Sequence, residues 1–185
     1  MKWLYVLAKY VYFPGSFLKA LWEHLTFRNL QVPIADADTY FGKGYHCGHV
    51  QCLLSDDARK SFFACLLPGI GNLLLGLPAF AAGCVALGYL GVDVIDPLEH
   101  TFCPLFPVYV LLYLFGASCL CSLFPRVQDA RHMWKSLYGR QSSASGMLKA
   151  LAFLPAGGLS VGAFLERSSV LFLATLALLI YWIMT

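Results

Sequence analysis

Long apolar runs separated by short polar stretches set the plan of this chain. Residues 3–25 are apolar but are interrupted by Lys9, Lys19, Glu23 and His24, and Pro14 and Gly15 divide them. Three more apolar units cover residues 62–92, 103–124 and 148–185. Between them lie a polar insertion at 28–61, a short acidic connection at 93–102 and a basic stretch at 125–149. About 20 apolar residues suffice to cross a hydrocarbon core as a helix. The pattern therefore predicts an all-α, multi-span integral membrane protein. It forms a single membrane domain over residues 1–185, with a small polar insertion able to hold a short β-hairpin.

Local signals refine the elements. Pro14-Gly15-Ser16 reads as a helix start with Ser16 as N-cap, giving a helix from Phe17 to Phe27. The segment before it is either a short interfacial piece or the first arm of one kinked span, because proline removes an internal hydrogen bond. Phe17, Leu18, Leu21 and Leu25 form a stripe of helical spacing, with Ala20, Glu23, His24 and Phe27 on the neighbouring face. His49 to Leu54 alternates weakly, as a short strand would. The 62–92 unit carries Pro68, Gly69, Gly71, Gly76, Pro78 and Gly83, which predicts a tilted, broken span or a bent span with an interfacial piece. The last unit breaks at Glu166-Arg167-Ser168-Ser169, which favours a helical hairpin. Lys9 interrupts the first run and no small-residue cleavage pattern follows, so this segment reads as retained structure and not as a cleaved signal.

Composition supports the membrane expectation. Hydrophobic residues make up 59% and charged residues 12% of 185, against about 25% charged in soluble domains. A formal net charge of +3 gives no nucleic-acid signal, and the basic residues inform through their placement. Arg126, Arg131, Lys135, Arg140 and Lys149 face Asp129 alone in the 125–149 loop, which places that loop in the cytoplasm, at a plasma or inner membrane. Arg59-Lys60 belongs on the same side. Arg126, Arg131, Lys135 and Arg140 suit contact with anionic lipid or a membrane protein partner. The small residues of the apolar units suit self-association. The seven cysteines are an odd number, which disfavours a disulfide framework, and those that fall in or beside apolar runs read as packing residues.

Three places could carry chemistry. Glu23 and His24 are ionisable groups in an apolar context: either they stand at an interfacial helix end where, with Lys19, they reach water, or they line a metal or proton site or form a structural buried pair. Lys19 stands four residues before Glu23 and is its natural ion-pair partner. The cluster His46-Cys47-x-His49-x-x-Cys52 offers imidazole and thiolate groups of the kind that hold zinc. A solvated loop, or His49 alone reaching back toward His24, are the alternatives. Asn72 could bond to backbone at a helix break or orient a substrate carbonyl. Asp129 is either a helix N-terminal carboxylate or an oxygen ligand at a cavity mouth.

The order of Glu23-His24, Pro68-Gly69-Ile70-Gly71-Asn72 and Phe124-Pro125-Arg126-Val127-Gln128-Asp129 resembles the site-two-protease family of intramembrane zinc metallopeptidases. In that family an early helix carries His-Glu-x-x-His, a later one an Asn, and a Pro-rich turn an Asp. The motif is degenerate here: Lys19-Ala20 stands on its first two positions, and His24 falls one residue late for the second ligand. The resemblance implies zinc held by His24, His49 and Asp129, with Glu23 as catalytic base and Asn72 orienting substrate, or a scaffold that has lost this chemistry. The competing expectation is a non-enzymatic membrane interaction or assembly protein. A transporter lacks the expected internal repeat, and a haem protein lacks histidines paired across two long spans.

Overall fold

The computed structural model describes residues 2–36, 49–52, 57–90, 106–140, 142 and 144–184. Among these the chain forms seven helices and one small ladder of two strands. In order they are α1 (Lys2–Val11), α2 (Phe13–Asn29), β1 (Ile34–Asp36), β2 (Gln51–Cys52), α3 (Ala58–Leu90), α4 (Phe106–Leu120), α5 (Val127–Tyr138), α6 (Gly146–Arg167) and α7 (Val170–Met184). The fold is all-α, and the strands pair antiparallel with Ile34 opposite Cys52. The acidic connection and the His46-Cys47 part of the polar cluster lie outside the described residues.

The break in the first apolar unit falls at Tyr12, one turn earlier than the Ser16 cap predicts. Proline tolerates the first turn of a helix because its missing N–H has no partner there, so α2 begins at Phe13 with Pro14 inside that turn. Ser16 is buried within the helix, where its hydroxyl donates to the Tyr12 carbonyl and sits 3.2 Å from Ser122 Oγ. The 62–92 unit is one continuous helix of 33 residues despite Pro68 and Pro78. The basic stretch, expected as a loop, contains the amphipathic helix α5.

α3 and α4 form the central pair, and glycines set how closely they approach. A Cβ on Gly83 would lie 2.6 Å from the Tyr113 backbone nitrogen. Gly15 does the same for α2: its N–H donates to Ser118 Oγ at 3.0 Å, and a Cβ there would collide with the α4 backbone. α7 turns away from α6 at Ser169, whose φ is 60°, and packs Phe172 edge-on against Tyr12 while its Thr175 carbonyl accepts from the Tyr113 hydroxyl. α5 packs Met133 and Leu137 on Ala152, Ala156 and Leu159 of α6, and on Ala58, Phe62 and Cys65 of α3.

The polarity of α2 is inverted relative to a helix on a water-facing domain. Lys19, Glu23, Ser16 and Thr26 are buried, with Gly15, Ala20 and Phe27. The apolar stripe read from the sequence, Phe17, Leu21 and Leu25, is exposed. Leu74, Leu77 and Val85 of α3 and Leu111 of α4 also face outward. Among the described residues, two helices, over Ala58–Gly88 and Gly146–Arg167, are long and apolar enough to cross a membrane.

Overpacking a close backbone contact costs typically 1–3 kcal/mol. Gly15→Val is expected to lower unfolding stability by about that amount or more. Gly158→Ala, in the interior of α6 where an added Cβ meets nothing within 4 Å, is expected to raise it by about 0.5–1 kcal/mol, the usual helix preference of alanine over glycine. Denaturant titration of the detergent-purified variants, followed by circular dichroism, checks both.

Candidate functional site

A cluster of charged and polar side chains lies where α1, α2, the polar insertion, the α4–α5 turn and α6 converge. At its centre is Glu166, on the last turn of α6. Its Oε1 lies 2.5 Å from Lys9 Nζ and 3.5 Å from His49 Nε2, and its Oε2 accepts the Phe124 backbone N–H at 3.0 Å. Lys9 also donates to Ser122 Oγ at 3.2 Å. His49 joins this carboxylate to a second one: its Nδ1 lies 3.0 Å from Glu23 Oε1. Glu23 Oε2 accepts the Val50 N–H at 2.7 Å.

Lys19 completes the set. Its ammonium donates to the Phe124 carbonyl and lies 4.0 Å from Glu23 Oε1, the i,i+4 pair expected from the sequence. Lys9, Lys19, Glu23, His49 and Glu166 are each no more than 5–6% exposed. Two ammonium and two carboxylate groups balance formally, which is the condition under which buried charges persist.

Asn72 stands beside this network on α3. Its amide nitrogen faces the carbonyl oxygens of Gly15 at 3.1 Å, Ser122 at 3.0 Å and Cys119 at 3.4 Å. An amide has two N–H groups, so the first two distances mark the stronger bonds. This is the backbone-bonding role weighed for Asn72 in the sequence, and it ties α2, α3 and the end of α4 together.

The sequence-predicted site residues divide. Glu23 and His24 point apart, as adjacent helical residues do: Glu23 is buried and His24 is exposed. His49 reaches Glu23 and not His24, the residue toward which one of its sequence alternatives had it reaching. Asp129 sits in the first turn of α5 and binds Arg126 through two bonds, of 2.7 and 3.0 Å. Burial pushes the Asp129 carboxyl above its ordinary value, with the Arg126 guanidinium pulling the other way. A small pocket brings Glu23 and Asp129 together with Cys52, Cys65, Pro68 and Pro125. Burial pushes the Cys52 thiol in that pocket up to about 12, which keeps it a neutral thiol near pH 7. Among the described residues, no group of three or more His, Cys, Asp or Glu side chains is placed to hold a metal ion. Arg131, Lys135 and Arg140 are exposed, whereas Arg126 is partly buried against Asp129.

Sequence reasoning missed Lys9, Ser122 and Glu166 as members of the site. The signal was present: Lys9 interrupts an apolar run and Glu166 ends one, and charges in such positions need partners. What could not be read was that residues 157 positions apart are those partners.

Removing one member of a buried ion pair typically costs 3–5 kcal/mol, because the other charge is left uncompensated. Lys9→Met and Glu166→Leu are each expected to destabilise by roughly that amount, and the double variant by less than the sum. Unfolding free energies of the three variants, set in a double-mutant cycle, measure the coupling. No family model matches this chain, and no curated protein or solved structure matches it.

Proposed function

We propose that the chain is a multi-span membrane protein that acts without catalysis, as an interaction or assembly component. Its buried ion network serves to fix the helical bundle. The observation that carries this reading is the engagement of the groups that peptidase chemistry would need. Glu23 accepts from Val50 and pairs with His49, Asp129 is held by Arg126, Asn72 faces backbone carbonyls, and His24 faces outward. A zinc hydrolase requires three protein ligands, an open water position and a base.

The membrane setting is supported by the inverted polarity along the middle of α2, where Phe17, Leu21 and Leu25 face outward and Lys19 and Glu23 are buried. Hydrocarbon selects that arrangement because unpaired charge facing lipid is costly. The basic excess of the 125–149 stretch supports a cytoplasmic position for α5. The exposed Arg131 and Lys135 of α5, with Arg140 just beyond its end, then form the contact surface.

A second reading has one specific observation in its favour. Glu23 and Asp129 line the same pocket, and Lys19 and Glu23 hold the i,i+4 spacing at which the resembled family places its two histidines. On this reading the chain is a peptidase-like scaffold in which a lysine–glutamate pair stands in the ligand positions.

The expected outcomes are retention of the protein in membranes after alkaline carbonate washing and purification without stoichiometric zinc. Elemental analysis of the wild type and of Asp129→Ala checks the second point. One zinc per chain in the wild type, lost in Asp129→Ala, would overturn the non-catalytic reading in favour of an active metal centre.

A further inference from the structure

α5 and α6 run antiparallel and are joined at both ends. At one end the Phe124 ring, just before α5, lies against Gly162, and the Phe124 N–H donates to Glu166. At the other, the Tyr138 hydroxyl donates to the Lys149 carbonyl at 2.7 Å. The α5 helix therefore accompanies α6 along most of its length.

The two helices expose opposite chemistry. α5 turns Gln128, Arg131 and Lys135 outward. α6 turns out Leu151, Leu154, Val161 and Phe164, which are 62–81% exposed. Three rings cluster where the helices meet: Trp134 lies 4.7 Å from Tyr138 and 6.2 Å from Phe153, and Tyr138 lies 6.2 Å from Phe153, centroid to centroid.

α6 has the length of a span, but its companion limits where it can sit. Upright in the bilayer, the pair would carry Arg131 and Lys135 to hydrocarbon depth, which lipid penalises. Upright in water, the row from Leu151 to Phe164 would stay wet. Lying along the membrane surface satisfies both faces at once, and aromatic side chains are favoured at that boundary.

We propose that the α5–α6 pair lies flat on an anionic leaflet. The outer face of α6 dips into the acyl boundary, Arg131 and Lys135 meet headgroup phosphates, and Trp134, Tyr138 and Phe153 mark the border between them. The bilayer crossing is then made by α3 and its neighbours, and α6 does not cross. This rests on the membrane reading above.

Leu151 and Val161 are separated by ten residues, about 15 Å along a helix, so depth measurements separate the two arrangements. The test uses wild-type protein, methyl-labelled, in nanodiscs of mixed phosphatidylcholine and phosphatidylglycerol carrying a nitroxide at acyl carbon 5 or carbon 16. Methyl groups of Leu151, Leu154 and Val161 are expected to broaden with the shallow label and little with the deep one. Leu77 of α3 is expected to respond to the deep label. If broadening along α6 passes from shallow to deep, the helix crosses and the proposal falls while the membrane reading stands. If α3 responds and α6 responds to neither label, the pair sits in water and the proposal again falls. If neither helix responds, the membrane reading itself is overturned.

A second arm counts phosphatidylglycerol retained by purified protein, by native mass spectrometry. The double variant Arg131→Gln/Lys135→Gln is expected to retain at least two-fold less than the wild type. Equal retention would overturn the anionic-headgroup contact.

Discussion

Glu166 accepts from an ammonium and a backbone amide and lies 3.5 Å from an imidazole nitrogen, and each comes from a different part of the chain. Through His49 this carboxylate is linked to Glu23, and through Glu23 to Lys19. Five segments far apart in sequence are thereby tied at one point. Desolvating two cations and two anions costs several kcal/mol per ion, and their mutual attraction offsets this only when each has well-placed partners. Here each of the four charges has at least one opposite charge or hydrogen-bonding group in the cluster. Such a network contributes little net stability compared with an apolar core of the same volume. It does penalise any other arrangement of the helices, because a misplaced helix strands a buried charge.

The small-residue contacts serve the same geometry. Close approach at Gly15 brings α2 onto Ser118 and sets Asn72 against the ends of α2 and α4. That places Ser122 where both Lys9 and Ser16 reach it. Packing by van der Waals contact and polar bonds between helices is the mode expected where lipid removes the hydrophobic drive for association. The exposed faces fit the same account: outward Leu and Phe side chains on α2, α3 and α6 surround a centre that is polar around Glu166 and apolar around Tyr113 and Met133.

Several features were legible before folding. Apolar run length gave the helical class, but not the continuity of α3, which runs through Pro68 and Pro78 where the sequence predicts a broken or bent span; α6 likewise runs through Pro155. The Lys19–Glu23 pair followed from i,i+4 spacing, and the placement of Asp129 in a helix first turn from its position after Pro125. Weak alternation over His49 to Leu54 pointed to a short strand, of which the described residues show Gln51–Cys52 paired with Ile34–Asp36. The N-cap at Ser16 failed for a local reason: its hydroxyl is claimed by the preceding turn and by Ser122, and the backbone had already turned helical at Phe13.

The sequence by itself determined that this chain is helical, that it presents large apolar surfaces, and that its few charges must find partners. These follow from local composition and periodicity, which need no knowledge of distant residues. Tertiary structure alone decided which partners they find. Lys9 meets Glu166 across 157 positions, and His49 turns to Glu23 and not to His24. The reason is geometric: adjacent side chains on α2 diverge by about 100°, so the fold can take Glu23 inward only by leaving His24 outside. The convergence of five segments on Glu166 depends on helix contacts that no local pattern encodes.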